Sequence, residues 1–124
     1  MNSDELRMIK QPNSHYCFIC GLKNVGGVQV TFYETEDDVG HPEILARFTG
    51  QEIHQGYPHR MHGGVIMGIL DETIGRVVNI GDAAEPAVWG VTGDFSMRFR
   101  RPVPLDVELT ARGRMVEDKG RTFD

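Results

Sequence analysis

Two adjacent carboxylates, Asp71 and Glu72, lie inside the most apolar helix that the sequence predicts. At about 100° per residue, Asp71 shares one narrow stripe of this helix with small or polar residues only. Glu72 lies at the margin of the stripe, where its spacing to Arg76 favours an ion pair on a solvated edge. Asp71 is therefore the candidate for chemistry, and Glu72 is predicted to be a surface residue. The other members of the stripe are Gly64, Gly68, Gly75 and Asn79.

The glycines of this stripe need an explanation, because each one costs on the order of 1 kcal/mol of helix stability relative to alanine. They would allow a strand, a partner helix or a ligand to approach that face closely. A partly desolvated carboxylate beside a ligand is suited to general-base catalysis. The alternative is that the stripe packs against another backbone and that Asp71 only finds hydrogen-bond donors there.

The start of the same helix could supply an oxyanion site. His62, Gly63 and Gly64 place unobstructed backbone N–H groups at the positive end of the helix dipole. Such donors, together with a carboxylate, can promote hydrolysis of an activated acyl group. Gly63 and Asp71 are separated by about 12 Å along a helix, so one carbonyl cannot touch both. If both act on one substrate, the second comes from another copy of the chain, which predicts a site shared across a two-fold dimer.

The elements around these groups can be predicted from hydrophobic periodicity. The helix is expected over residues 62–80, with Gly81 as its stop. Alternating residues before it predict a hairpin of strands 28–35 and 43–49, followed by an irregular loop, 50–61. The order of elements predicts an α+β domain in which an antiparallel sheet covers one long central helix. The remaining predicted elements are a short helix over 3–10 capped by Ser3, an extended segment over 87–104, a strand over 106–118, a turn at 118–120 and the start of a strand over 121–124.

Composition restricts the class of protein. The chain has 124 residues, which is enough for one domain, and its 40% apolar and 25% charged content is typical of globular proteins. A formal net charge of −5 argues against a nucleic-acid partner. The polar N-terminal segment lacks the apolar core of a secretory signal, and no run reaches the ~20 apolar residues that span a bilayer. We therefore expect a cytoplasmic protein with neither a nucleic-acid nor a membrane partner.

Cys17 and Cys20 are the two cysteines of the chain and are spaced C-x-x-C. A structural zinc site usually has four ligands, and while His15 could be a third, no fourth candidate stands near it. A thioredoxin-like redox motif would need a βαβ context, whereas the segment that follows predicts a turn and then a strand. We interpret the pair as reduced, partly buried thiols and predict neither a metal nor a cofactor.

The segment HGGVIMGILDE resembles the HGG-x₆-D signature of the hotdog-fold acyl-CoA thioesterases, in particular those of the phenylacetic-acid-degradation type. The segment CFICGLKNVGGVQVTFYE is similar to their CFxCGxxNxxGL opening, and TGDFSMRFRRPVP resembles their central strand. The resemblance covers nearly the whole chain. It implies a hotdog fold, in which the sheet wraps the predicted helix, and hydrolysis of acyl-CoA thioesters.

The resemblance also implies roles for the matching positions. Asp71 would be the general base or the nucleophile, the Gly63 N–H would polarise the thioester carbonyl, and His62 would position the loop. Thr92 matches a hydroxyl position that helps to hold water in some relatives. Some relatives carry an asparagine six residues before the histidine, where this chain has Gly56. Further candidates for contact with the substrate are the nearby Gly64 and the polar substitutes His54, Gln55 and His59.

Arg98, Arg100 and Arg101 concentrate positive charge in an acidic chain. In a strand, Arg98 and Arg100 would share one face while Met97 and Phe99 take the other. The cluster could bind the phosphates of coenzyme A, with Arg98 and Arg100 as a two-residue contact, and the alternative is a solvated strand edge. The acyl pocket is expected to involve Met67, Ile74, Trp89 and Phe95.

The fold alone does not define the function, because the hotdog fold also serves dehydratases and non-catalytic acyl-CoA sensors. A dehydratase would be expected to pair its acid with a catalytic histidine in another motif. We favour a thioesterase that acts on a small or medium acyl-CoA as a homodimer or homotetramer. A plain acyl-thioester-binding module is the rival. Because the strand at 121–124 is a stub, we also expect either that the chain is a fragment or that a neighbouring subunit completes the sheet.

Overall fold

The computed structural model describes residues 8–82 and 90–124 of the chain. Within these two ranges, four strands form one sheet: β1 (Ile9–Lys10), β2 (Thr31–Glu36), β3 (Pro42–Thr49) and β4 (Glu108–Gly113). Between β3 and β4 lie a short 3₁₀ helix, Glu52–His54, and the α-helix α1, Gly63–Val77. The predicted hairpin and the predicted long helix are therefore both present.

The sheet is antiparallel throughout, in the spatial order β1-β2-β3-β4. The hairpin register sets Phe32 of β2 opposite Ala46 of β3. After the helix the chain returns to the other edge of β3, where Ala46 pairs with Ala111 of β4. β2 and β3 are therefore the two inner strands of the sheet, and the β3 residues Ile44, Leu45 and Ala46 are all buried.

One face of α1 packs on this sheet. Ile69 and Val77 of the helix join Phe32, Ile44 and Ala46 of the sheet in one buried cluster. Burial of apolar surface in such a cluster is the main term that stabilises the arrangement.

The helix approaches β4 most closely at Gly113. A Cβ atom on Gly113 would lie 3.2 Å from Thr73 Cγ2 and 3.3 Å from Val77 Cγ2, so a larger residue would push the helix away. Thr73 is itself buried and donates a hydrogen bond to the Ile69 carbonyl at 2.6 Å, which satisfies its hydroxyl within the helix. The small residue on the strand therefore fixes the helix against the sheet.

The helix is shorter than the 62–80 predicted for it. His62 is its N-terminal cap, and Val77 is its last residue. Residues 78–82 continue as turns, in which Gly81 has the left-handed φ of +93° that glycine tolerates. Gly81 thus lies within the turn that follows the helix rather than directly at its end.

The extended segment predicted over 87–104 forms no strand in its described part, residues 90–104. A strand needs hydrogen bonds to a neighbouring backbone, and the described part of this segment forms only one isolated bridge. The C-terminal end of this segment contacts the loop before α1. The Met61 N–H donates to the Val103 carbonyl at 2.8 Å, and Arg60 forms an isolated bridge with Pro104. Residues 83–89 lie outside the described residues, and so does the predicted role of Trp89.

Two terminal predictions also need correction. Ile9–Lys10 is a strand paired with β2 rather than the end of a helix, and the rest of the predicted helix (residues 3–7) lies outside the described residues. At the other end, the turn predicted at 118–120 is present, with Gly120 at a φ of +87°. The strand predicted over 121–124 is only an isolated bridge between Asp118 and Phe123, because this segment folds back on residues 116–119 instead of pairing with β4.

No helix in the described part of the chain is long and apolar enough to cross a membrane.

Candidate active site

The first turn of α1 is organised by its capping residue, His62. The Nδ1 atom of His62 accepts the Gly64 N–H at 2.8 Å. The His62 carbonyl accepts the N–H groups of Val65 and Ile66 at 3.0 and 3.1 Å. The Gly63 N–H finds no acceptor among the described residues. It lies at the positive end of the helix dipole and is therefore available to a ligand.

A cavity of about 690 Å³ opens at this end of the helix. Its volume lies within the range of about 300–1,000 Å³ that is usual for small-molecule sites. The Phe99 ring covers Gly63, since a Cβ on that glycine would lie 3.4 Å from two ring carbons. The cavity is lined by Gln55, Gly56, Tyr57, Arg60, Met61, His62, Gly63, Ile66, Phe99, Arg100, Arg101, Pro102 and Val103.

Asp71 lies two turns further along α1, on the exposed side of the helix. Thr92 Oγ1 donates a hydrogen bond to Asp71 Oδ1, so the structure brings these two predicted site residues together. The desolvation expected for Asp71 is not present in the single chain, because the residue is exposed. A carboxylate beside a hydroxyl can orient and deprotonate a water molecule.

The glycine stripe does not form one closed groove in the single chain. Gly68 packs against the loop before β2, where a Cβ on it would lie 2.9 Å from Ile19 Cδ1. Gly75, in contrast, has no described atom within 4 Å of its Cβ position. The neighbouring Met67 and Ile74 are 41% and 52% exposed. This side of the helix is therefore open, and it is partly apolar.

His54 supports the loop before the helix rather than lining the cavity. Its side chain is buried, its Nδ1 accepts the Gln51 N–H at 2.9 Å, and its Nε2 donates to the Gly26 carbonyl at 3.0 Å. Its own carbonyl accepts the His62 N–H at 2.8 Å. Since both ring nitrogens are occupied, His54 is not free to contact a substrate, and it instead holds the residue that caps the helix.

Gly56, the position where some relatives carry an asparagine, lies directly against the capping residue. A Cβ on Gly56 would lie 3.0 Å from His62 Cα, so a larger side chain would be crowded there. Of the polar substitutes predicted from the sequence, Gln55 lines the cavity and His59 does not. The Gln55 Oε1 atom accepts the His59 N–H at 3.3 Å, which leaves the Gln55 side-chain amino group to face a ligand.

The arginine cluster meets the cavity differently from the prediction. Because residues 90–104 form no strand, the alternation that paired Arg98 with Arg100 does not apply. Arg100 and Arg101 line the cavity, and Arg98 does not. Phe99, which the alternation set on the opposite face, lines it as well. No local pattern could identify Phe99, since its position depends on the path of a segment that lacks regular structure.

Glu72 forms the predicted ion pair, but not on a solvated edge. Its Oε2 atom lies 3.0 Å from Arg76 Nε, and the two side chains are only 21% and 15% exposed. The Arg76 guanidinium lies 4.2 Å from the centre of the Phe32 ring, and Glu72 Oε1 accepts a hydrogen bond from Cys17. The two neighbouring carboxylates of α1 therefore have different surroundings, since Asp71 is exposed and Glu72 is half-buried.

An open amide at a helix N-terminus, a ligand-sized cavity and a carboxylate on the same helix are groups that hydrolysis of an activated acyl group would need. The sequence comparison agrees with this chemistry. Residues 59–124 match the family model described as the thioesterase superfamily. The chain therefore belongs to the thioesterase superfamily, and its helix on an antiparallel sheet is the hotdog fold that the sequence predicts. The comparison with curated proteins found no match.

Proposed function

We propose that this protein is an acyl-CoA thioesterase that hydrolyses small or medium acyl-CoA substrates. Membership of the thioesterase superfamily supports thioester hydrolysis or acyl-CoA binding at the level of the family. The observation that carries the finer proposal is Gly63, which lines the cavity and whose N–H has no acceptor among the described residues. A donor in that position can bind a carbonyl oxygen, and its bond strengthens as negative charge develops on that oxygen in the transition state, which favours catalysis over binding alone.

In the proposed reaction the thioester carbonyl oxygen accepts the Gly63 N–H. Asp71 takes a proton from a water molecule, and that water attacks the carbonyl carbon. The tetrahedral intermediate carries its negative charge at the Gly63 amide and then collapses, so that the carbon–sulfur bond breaks. Asp71 gives its proton to the departing thiolate of coenzyme A and is a carboxylate again, and the acyl group departs as a carboxylic acid. In the alternative route, the Asp71 carboxylate attacks directly and a mixed anhydride is hydrolysed afterwards.

The neighbouring residues have supporting roles in this proposal. His62 fixes the first turn of the helix through its bond to the Gly64 N–H, and Thr92 orients the Asp71 carboxylate. Gln55 is the polar residue beside Gly56 that faces the cavity. Arg100 and Arg101 bind phosphates of coenzyme A at the cavity wall, whereas Arg98 does not line the cavity.

The active assembly is at least a homodimer in this proposal, and two such dimers can form a tetramer. Gly63 and Asp71 of one helix are about 12 Å apart, so each site takes Gly63 from one subunit and Asp71 from the other. The open side of α1 supports this arrangement, because it exposes Met67 and Ile74 around the glycine stripe. A second copy packed there would also remove Asp71 from water.

Substitution of Asp71 tests the proposal. The acyl group is first identified by a hydrolysis screen over acyl-CoAs of different length and aromaticity, measured by chromatography of released coenzyme A. On the best substrate, Asp71→Asn is expected to lower kcat by about 10²–10⁴-fold, the range for loss of a general base. Asp82→Asn is the matched control, since it neutralises an exposed acid in the turn that follows the same helix, and its kcat should stay near the wild-type value. Wild-type turnover in Asp71→Asn would refute the assignment of the base.

The second candidate function is an acyl-thioester-binding module, which the exposure of Asp71 in the single chain favours. A module of this kind would bind a non-hydrolysable thioether analogue of acyl-CoA. It would show no turnover of any thioester in the screen, and Asp71→Asn would leave its affinity unchanged.

A further inference from the structure

Two cysteines and a carboxylate from distant parts of the chain meet beside α1. The Sγ atoms of Cys17 and Cys20 and a carboxylate oxygen of Glu72 all lie within 4.8 Å of one another. Cys17 Sγ is 3.0 Å from Glu72 Oε1, although the two residues are 55 positions apart. Cys20 is buried and Cys17 and Glu72 are half-buried, so the three groups form a defined cluster under the surface.

The backbone of the cysteine loop holds both sulfur atoms on one side. Gly21 donates its N–H to the Cys17 carbonyl at 2.7 Å, and a Cβ on Gly21 would lie only 2.5 Å from Cys17 backbone atoms. A glycine is therefore required directly after the second cysteine. The Ile19 N–H points at Cys17 Sγ at 3.4 Å, and a backbone donor of this kind stabilises a thiolate.

The charges of the cluster fit a divalent cation. The Cys17 thiol donates its hydrogen to Glu72 Oε1, and a metal ion would take the place of that proton between the sulfur and the carboxylate. Arg76 neutralises one side of Glu72 through Oε2, while Oε1 faces Cys17. If both cysteines are thiolates, the three negative charges are balanced by Arg76 together with one divalent ion.

We propose that Cys17, Cys20 and Glu72 form a zinc site that fastens the loop before β2 to the central helix. Thiolate ligands select zinc over magnesium or calcium, and zinc also accepts a carboxylate oxygen. Ligand atoms about 2.0–2.3 Å from one ion lie within roughly 4 Å of one another, so a small closure of the loop completes the site. Zinc displaces the two thiol protons to solvent, and a water molecule takes the fourth position.

The sequence did not predict this site because one of its ligands comes from a distant part of the chain. The third ligand is Glu72, from the helix, and not the neighbouring His15, which is exposed and outside the cluster. Glu72 also directly follows the proposed base Asp71, so a metal held by it would fix the rotation of the helix at the candidate active site. The proposal itself does not depend on catalysis.

Metal content tests the proposal. The full chain, purified under reducing conditions, is titrated with Zn²⁺, and bound metal is measured by mass spectrometry after removal of free ion. We expect one zinc per chain in the wild type. Titration with Co²⁺ should give sulfur-to-metal charge-transfer absorption and the intense visible bands of a tetrahedral site. Cys20→Ser and Cys17→Ser each remove a ligand and should weaken the affinity for zinc by more than about 100-fold. Loss of a residue that only supports a ligand typically costs about 10–100-fold.

Two variants distinguish loss of zinc binding from loss of the fold and from loss of the proposed hydrolysis. Cys17→Ser keeps a hydroxyl that can donate to Glu72, so a folded Cys17→Ser protein without zinc shows that metal and not only a hydrogen bond was lost. Asp71→Asn, the adjacent acid on the same helix, should lose hydrolysis and keep wild-type zinc affinity. The proposal is overturned if the wild type takes up no stoichiometric zinc, or if Cys17→Ser binds it equally well.

Discussion

Single residues at the start of α1 allow the proposed oxyanion donor to be removed without removing the helix. Gly63 occupies the first helical position, where proline is well tolerated because its missing N–H is unpaired there in any case. His62 before it has φ −61° and ψ 135°, the backbone that a residue preceding proline prefers. Gly63→Pro is therefore expected to fold and to lower kcat by about 10²–10³-fold, the usual cost of one oxyanion donor. Steady-state kinetics on the best acyl-CoA measure the effect.

The matched control for this variant is Gly63→Ala. It adds a carbon at the same place, 3.4 Å from the Phe99 ring, and it keeps the N–H. Its kcat should stay close to the wild-type value. If alanine and proline reduce kcat equally, crowding against Phe99 is the cause, and the amide has no catalytic role.

Individual arginines should differ in their effect on the affinity for coenzyme A. Because phosphate contacts lie far from the reacting carbon, the double change Arg100→Ala with Arg101→Ala should raise KM more than it lowers kcat. Arg98→Ala is the control, since Arg98 does not line the cavity. The effect should vanish on a short acyl-pantetheine, which lacks the nucleotide phosphates. An equal loss on both substrates would instead mean that the two arginines shape the cavity wall.

Among the secondary-structure elements, the turn between β2 and β3 is stabilised by hydrogen bonds to one carboxylate, that of Asp37. The Asp37 carboxylate accepts the N–H groups of His41 and Val39 at 2.8 and 2.9 Å, and these bonds hold the pKa of Asp37 below its ordinary value of 3.8. A depressed pKa means that the folded chain releases the proton more readily than the unfolded chain. The stabilisation is therefore present above about pH 4 and is lost as the pH falls through the lower, folded-state pKa.

The variant Asp37→Asn tests the contribution of this carboxylate, because it removes the charge and leaves an oxygen that can still accept the backbone hydrogen bonds. The free energy of unfolding, measured in urea at several pH values, should be lower than in the wild type at neutral pH. The difference should shrink as the solution becomes acidic. Asp38→Asn, at the exposed neighbouring position, serves as the control and should have little effect at any pH. A difference that does not change with pH would show that the carboxylate charge contributes nothing.

The elements also show which parts of the fold could be predicted from the sequence. The helix and the hairpin were predictable because their apolar periodicity is local. The strand expected over 87–104 was not, because strand formation depends on backbone partners elsewhere in the chain, and the described part of this segment forms only the Arg60–Pro104 bridge. The same segment carries the arginine cluster, of which Arg100 and Arg101 line the cavity and Arg98 does not. The cluster of Cys17 with Glu72 was equally hidden, since it joins groups 55 positions apart.

For the whole molecule, the decisive feature is the position of the proposed catalytic groups on one rigid helix. Within one chain, the Gly63 amide opens on the cavity while Asp71 lies exposed two turns away. Helical spacing alone predicted their separation, and this prediction is independent of side-chain packing. What the sequence could not supply is the partner surface that would bury Asp71. The open face with Met67 and Ile74 is the surface available for that contact.

A subunit-mixing experiment distinguishes a shared site from a site within one chain. When Asp71→Asn and Gly63→Pro chains are refolded together in equal amounts, half of the dimers contain one chain of each kind. Each such dimer regains one intact site, made of Gly63 from one chain and Asp71 from the other, so about a quarter of wild-type activity should return. If each chain forms its own site, no activity returns. The complementary mixture combines wild type with a chain that carries both changes, and it should retain about a quarter of the activity for a shared site but about half for a site within one chain. Because the two mixtures contain the same residues in the same amounts, only the distribution of Gly63 and Asp71 between subunits can account for a difference between them.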